Sequence, residues 1–162
     1  VMQDNFIFSD TVRRNILLGE PEDNARLARA VEMACLTDYV EKQPLGLETK
    51  VGSEGISVSG GEKQRMMIAR AIYKDPQYLM LDEATSSLDA ENERRITENL
   101  DRHFRGRTRI VIAHRLSTVK NADQIVVLRK GRVVERGTHA ELVAQRGYYY
   151  ELIQNQLELA EG

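Results

Sequence analysis

Short apolar runs alternate with stretches of helical spacing, and this alternation constrains the fold more than any other feature of the sequence. Gln77–Leu81, Arg109–Ala113 and Gln124–Leu128 each have the length of a buried strand. Leu27, Ala30, Val31 and Ala34 recur at helical spacing within Asp23–Leu36, as do Met67, Ile68, Ala71 and Ile72 within Gly61–Tyr73. Ala90–Phe104 carries acids early and Arg102 and Arg105 late, which suits a helix macrodipole. Thr138 with Glu141 three residues on is a capping box that opens a helix, and a further helix is expected over Tyr148–Leu159. Shorter helices are expected at Thr37–Lys42, stopped by Pro44, and at Leu116–Asn121. Leu45–Ser59 has no helical period and reads as a loop or short extended piece, while Lys130-Gly131 turns the chain into Arg132–Glu135. The order predicts an α/β fold with a partly parallel sheet.

Composition removes several classes of function. Twenty-three basic against 25 acidic residues leave a net charge of −2 over 162 residues, so broad electrostatic binding to nucleic acid or anionic membrane is not expected. With 41% hydrophobic residues the chain is too apolar for disorder, and its length is that of one domain. Cys35 is the single cysteine, which excludes a disulfide framework and a cysteine-based metal site. Its neighbours Met33, Ala34 and Leu36 predict a buried thiol in a reducing compartment. No apolar run approaches the ~18–20 residues that span a bilayer, and the start Val1-Met2-Gln3 lacks the features of a signal peptide. An apolar residue ahead of Met2 gives the expectation that the chain is cut from something longer.

Two stretches carry chemistry. Tyr78-Leu-Met-Leu-Asp82-Glu83 is an apolar strand that delivers adjacent carboxylates at its end, where Asp82 suits Mg²⁺ and Glu83 suits a water attacking a phosphate. Taken alone it is a strand end and a solvated turn. Ser59-Gly60-Gly61-Glu62 opens a helix, where glycines permit close approach and free N–H groups attract an anion. Alone it is an ordinary helix start. About twenty residues apart and in this order, the two support each other.

Together they resemble the nucleotide-binding domain of ABC transporters. Ser59-Gly60-Gly61-Glu62 looks like the ABC signature, with Val58 and Glu62 at its variable outer positions. Tyr78–Glu83 looks like Walker B with the catalytic glutamate, and Ser87-Leu88-Asp89 is similar to the D-loop. His114 resembles the switch histidine that contacts the γ-phosphate, and Gln3 resembles the Q-loop glutamine that reaches metal and water. Asn5–Ile16 and Thr49–Gly55 resemble exporter-type domains, with Ser53 where the family's usual glutamate stands and Glu54 one place later. Among exporters the chain most resembles bacterial peptide exporters, some of which carry a peptidase domain.

The resemblance implies an incomplete P-loop NTPase core with the ABC helical subdomain. It divides the chain into a Q-loop region over 1–20, a helical subdomain with the signature over 21–73, and the remainder over 74–162. Glu83, His114 and Gln3 would be catalytic, and Ser59, Gly60, Gly61, Glu62 and Asp89 would contact nucleotide. Asp82 and Gln3 would hold Mg²⁺, with ATP as the bound nucleotide. The implied partners are a second nucleotide-binding domain and the coupling helices of a transmembrane domain, at the cytoplasmic face of a bacterial inner membrane.

No Gly-x-x-x-x-Gly-Lys-Ser/Thr is present in the 162 residues. Because that loop supplies most of the phosphate binding, the chain alone is expected to bind ATP weakly and hydrolyse it negligibly. In the family the Walker B strand is expected to pair beside the P-loop strand, so its removal would expose an apolar edge and favour self-association. Two other functions are weighed against the exporter: a soluble ABC ATPase of DNA repair or translation, and a nucleotide-independent interaction fragment. The remaining residues read blandly. His103 and His139 are expected to be solvated, Arg102, Arg105, Arg107 and Arg109 to form a solvated helix end, and Tyr148–Tyr150 to pack.

Overall fold

The computed structural model describes residue 1, residues 6–112 and residues 119–161, with side chains through residue 155. The chain forms two compact units, Val1–Val111 and Ile112–Gly162.

In the first unit, β1 (Asp10–Thr11) leads into α1 (Val12–Leu17), whose first turn is capped by the Thr11 hydroxyl. β1 pairs antiparallel with β2 (Lys50–Val51), in the register Asp10↔Val51. Asn15 is fully buried and closes the loop ahead of α1: its Oδ1 accepts the Phe8 N–H at 2.9 Å, and its Nδ2 donates to the carbonyls of Phe8 and Thr11, both at 3.0 Å. Between the paired strands lie α2 (Asn24–Met33), capped by Asp23, and α3 (Thr37–Glu41). Then follow α4 (Gly60–Lys74), β3 (Tyr78–Asp82), α5 (Ala90–His103) and β4 (Thr108–Ile112).

The apolar stripe of α4 is the centre of this unit. Met66, Ile68, Ala69, Ile72 and Tyr73 are buried with Val12 and Ile16 of α1, Leu27 and Ala30 of α2, Leu79 of β3 and Ile96 of α5. Burial of each larger side chain contributes about 1.5–3 kcal/mol before entropy is counted. Polar tethers fix what the apolar contacts leave free to slide. Arg70 Nε donates to the Asn15 carbonyl at 2.8 Å, Arg65 to that of Cys35 at 3.0 Å, and Tyr73 Oη donates to the Pro21 carbonyl while accepting the Asp23 N–H at 2.9 Å.

β3 and β4 are hydrogen-bonded neighbours joined through α5, a helical crossover of the kind that links parallel strands. On the other side of β3, the Val1 nitrogen donates to the Met80 carbonyl at 2.7 Å and the Asp82 N–H to the Val1 carbonyl at 2.9 Å, which is a parallel bonding pattern. This corrects one expectation. Both sides of β3 are taken, so no P-loop strand can pair directly with it. The apolar surface left open lies instead on β4, where Ile110 and Ile112 are half exposed, and on the outer face of β3, where Tyr78 and Met80 are exposed.

The second unit is a hairpin with two helices. β5 (Ile125–Arg129) and β6 (Arg132–Gly137) pair antiparallel through a turn whose two central residues, Lys130 and Gly131, both lie at positive φ. That twist matches the right-handed twist of the strands. α6 (His139–Gln145) and α7 (Tyr148–Glu161) follow, and Ile125, Val127, Leu142, Tyr149 and Ile153 form their shared core. The Glu135 carboxylate accepts the N–H groups of Tyr148 and Tyr149, at 2.5 and 2.9 Å, and so caps α7.

The solvated assignments fail for several residues. His103 Nε2 lies 2.9 Å from the Asp75 carboxylate, and Arg107 clasps the same carboxylate at 2.6 Å. His139 Nδ1 lies 2.9 Å from Tyr149 Oη, and Arg109 pairs with Asp101. For His103 and Arg107 a partner about thirty residues away brings the side chain down, whereas the Arg109 pair stays exposed. Cys35 is half-buried, and that burial pushes its thiol pKa up, as an unreactive thiol requires. The helix expected at Leu116–Asn121 lies largely outside the described residues.

Candidate functional site

The signature turn is built by local rules. Ser59 has extended backbone and its Oγ accepts the Glu62 N–H at 3.3 Å, while the Glu62 carboxylate accepts the Ser59 N–H at 2.8 Å. This reciprocal capping box starts α4. It satisfies the third helical N–H and leaves the first two, those of Gly60 and Gly61, with no acceptor among the described residues. Gly60 is exposed and Gly61 half-buried, so two N–H donors without an acceptor stand at the positive end of a 15-residue helix. A phosphate group fits that chemistry. Glu62, expected to contact nucleotide, has its carboxylate engaged in the cap.

β3 carries the carboxylates. Leu79 and Leu81 point into the core, and the strand ends with Asp82 and Glu83 half-buried. Glu83 has φ 46, a left-handed backbone uncommon for a side chain of its size, which turns the chain sharply out of the strand. The turn continues through the Ser86 N–H to the Glu83 carbonyl at 3.1 Å and the Leu88 N–H to the Thr85 carbonyl at 3.1 Å. Leu88 is buried, and Asp89 caps α5 by accepting the Asn92 N–H at 2.9 Å. Those Asn92 hydrogen bonds hold the Asp89 carboxyl below the usual carboxylate range. No cluster of three His, Cys, Asp or Glu side chains forms a metal cage among the described residues. Mg²⁺ needs none, because one or two carboxylates with phosphate oxygens and waters complete its shell. Asp82, half-buried at the strand end, fits that donor set.

The signature turn lies close to the loop that follows Glu83. A Cβ at Gly61 would lie 3.2 Å from the Ser87 carbonyl, and one at Gly60 would lie 3.7 Å from the Ser87 side chain. A side chain at 61 would thus press on the loop, and glycine lets the helix start approach it without a shift. Behind this contact stands Gln64, buried on α4 and bonded to Glu83, Ser86 and Ser87. Sequence reasoning passed over it. The signal was readable, since Gln64 shares the spacing of Met67, Ile68 and Ala71 and so places an amide on an apolar stripe. Gln3 and His114 lie outside the described residues. The structure thus brings Gly60 and Gly61, with Gln64 behind them, onto the loop that joins Asp82 and Glu83 to Asp89.

Comparison with known proteins identifies the family. Residues 1–86 match the family described as ABC transporter. The chain is 54% identical over 153 residues to the ATP-dependent lipid A-core flippase of Cupriavidus metallidurans, covering 92% of this chain and 26% of that protein. It is 49% identical over 158 residues to a putative multidrug export ATP-binding/permease protein of Staphylococcus aureus, covering 96% of this chain and 27% of that protein. Among solved structures, a bacterial Atm1-family ABC exporter with ATP bound superposes with a TM-score of 0.90 at 40% identity, over 96% of this chain and 27% of that one. The chain therefore spans about a quarter of the length of these relatives. The narrowing to peptide exporters has no counterpart in these names.

Proposed function

Because the chain belongs to the ABC transporter family, we propose that it is the signature-to-Walker B part of the ATP-hydrolysing unit of a membrane exporter. The observation that carries this is the packing of the Gly60-Gly61 helix start against the loop that follows Asp82 and Glu83. The named relatives are a flippase and a multidrug export protein, which supports an exporter over a soluble ATPase.

Each residue then has a task. The free N–H groups of Gly60 and Gly61, with Ser59 beside them, stabilise negative charge on the phosphates of ATP held by a second copy of the domain. Asp82 would hold Mg²⁺, which would supply positive charge to offset that of the phosphates. Glu83 orients the attacking water and takes its proton. Gln3 and His114 complete the γ-phosphate surroundings, and Asp89 lies where the two copies meet. The helical region 21–73 carries domain closure to the coupling helices of the membrane part, at the cytoplasmic face of the membrane.

Glu83→Gln in the complete transporter tests the assignment. ATP turnover should fall by about 100-fold or more, in line with general-base losses, while ATP binding persists and closed dimers accumulate. Normal hydrolysis and transport by that variant would remove Glu83 from the role.

A further inference from the structure

Gln64 is 1% exposed, on a face of α4 otherwise made of Met67, Ile68 and Ile72. A buried amide is costly there unless its polar atoms are bonded. All of its bonds go to one segment. Oε1 accepts the Ser87 N–H at 2.8 Å, and Nε2 donates to Ser86 Oγ at 3.0 Å and to the Glu83 carbonyl at 3.4 Å. That carbonyl belongs to a residue at φ 46, a conformation that persists only where its surroundings over-determine it. Five residues before Gln64 on the same helix stands Ser59, the cap of the signature turn. A Cβ at Gly61 would lie 3.2 Å from the Ser87 carbonyl, so the helix start also lies close to the loop at a second point.

We propose that Gln64 is a positioning residue that sets the backbone of Glu83 and locks the 83–88 loop to α4. The Ser59-Gly60-Gly61 turn and the Glu83 carboxylate then move as one body. This rests on the ATPase reading above, in which the signature turn serves one nucleotide and Glu83 another. Gln64 is then the link through which the state of one ATP site reaches the other. A side chain of similar volume without the amide fills the space but leaves the Ser87 N–H without an acceptor and the Glu83 turn without its brace.

Gln64→Leu and Gln64→Glu in the complete transporter test this, read by steady-state ATP hydrolysis and by amide exchange at Ser87. Gln64→Leu should lower kcat about tenfold or more, with KM for ATP within about threefold, and should speed Ser87 exchange by about tenfold, the scale of one lost buried hydrogen bond. Gln64→Glu keeps the acceptor, so it should retain Ser87 protection and recover part of kcat. Unchanged kcat and unchanged Ser87 exchange in Gln64→Leu would overturn the proposal. Faster exchange spread evenly through α4 and β3, with kcat and KM lost together in both variants, would also overturn it, since that marks general loosening. A wild-type transporter with no ATP turnover would instead defeat the ATPase reading, and Ser87 exchange would still decide whether Gln64 holds the loop.

Discussion

Asp75 shows how a single side chain can join three elements. It ends α4 in a left-handed conformation, and its carboxylate accepts from both terminal nitrogens of Arg107, at 2.6 and 3.1 Å, and pairs with His103 Nε2 at 2.9 Å. Arg107 also donates to the carbonyls of Asp75 and Pro76, which fixes the entry to β3. The Arg107 hydrogen bonds, assisted by His103, hold the Asp75 carboxyl below the usual carboxylate range. A depressed value in the folded state means that the clasp stabilises above about pH 4 and that this contribution is lost as the pH falls through the folded value. Asp75→Asn should therefore melt at a lower temperature than wild type at neutral pH, and the two melting curves should converge on acidification below about pH 4. Parallel curves at every pH would show that the charge contributes nothing, which solvent screening at a partly exposed carboxylate makes the competing outcome. His103 and Arg107 looked solvated in the sequence because their partner lies about thirty residues away, and no local pattern announces such a pair.

At the scale of elements, the two capping boxes make an instructive pair. Thr138 with Glu141 starts α6 as its spacing predicted, and Ser59 with Glu62 starts α4 by the same chemistry. Thr138→Ala should destabilise the second unit by about 1 kcal/mol, visible as earlier urea unfolding of α6 and α7 and faster exchange of the Glu141 amide. α2 and α4, which show a sustained apolar period, and α5, read from its acids early and arginines late, were legible to within three residues at each end because each must bury one stripe. α1 was not, since Val12, Ile16 and Leu17 make too short a run to display a period, and tertiary burial forms the helix. The candidate site divides in the same way. Its ligand-facing residues follow from spacing, whereas Gln64, Ser86 and Ser87 acquire their roles only when α4 and the turn after β3 are in contact.

Across the whole molecule, one exposed apolar surface of the first unit spans the outer face of β3 and β4. Tyr78 is 75% exposed, Met80 59% and Ile110 50%. A strand pair with an open apolar face and an unprotected edge associates with whatever can cover it. The purified 162-residue chain should therefore self-associate in sedimentation velocity, and Met80→Lys with Ile110→Lys should shift it towards monomer; a wild-type chain that sediments as a monomer would exclude this. The alternation of strands and helices, the capping residues and the order of the phosphate-related stretches are written in the chain, because each depends on chemistry within a few residues. That Val1 and β4 flank β3, that Asp75 gathers His103 and Arg107, and that Gln64 joins the signature helix to the Glu83 turn emerges on folding. Those pairings depend on how α4 packs, and a packed helix selects its partners by shape and unsatisfied hydrogen bonds, which sequence spacing does not encode.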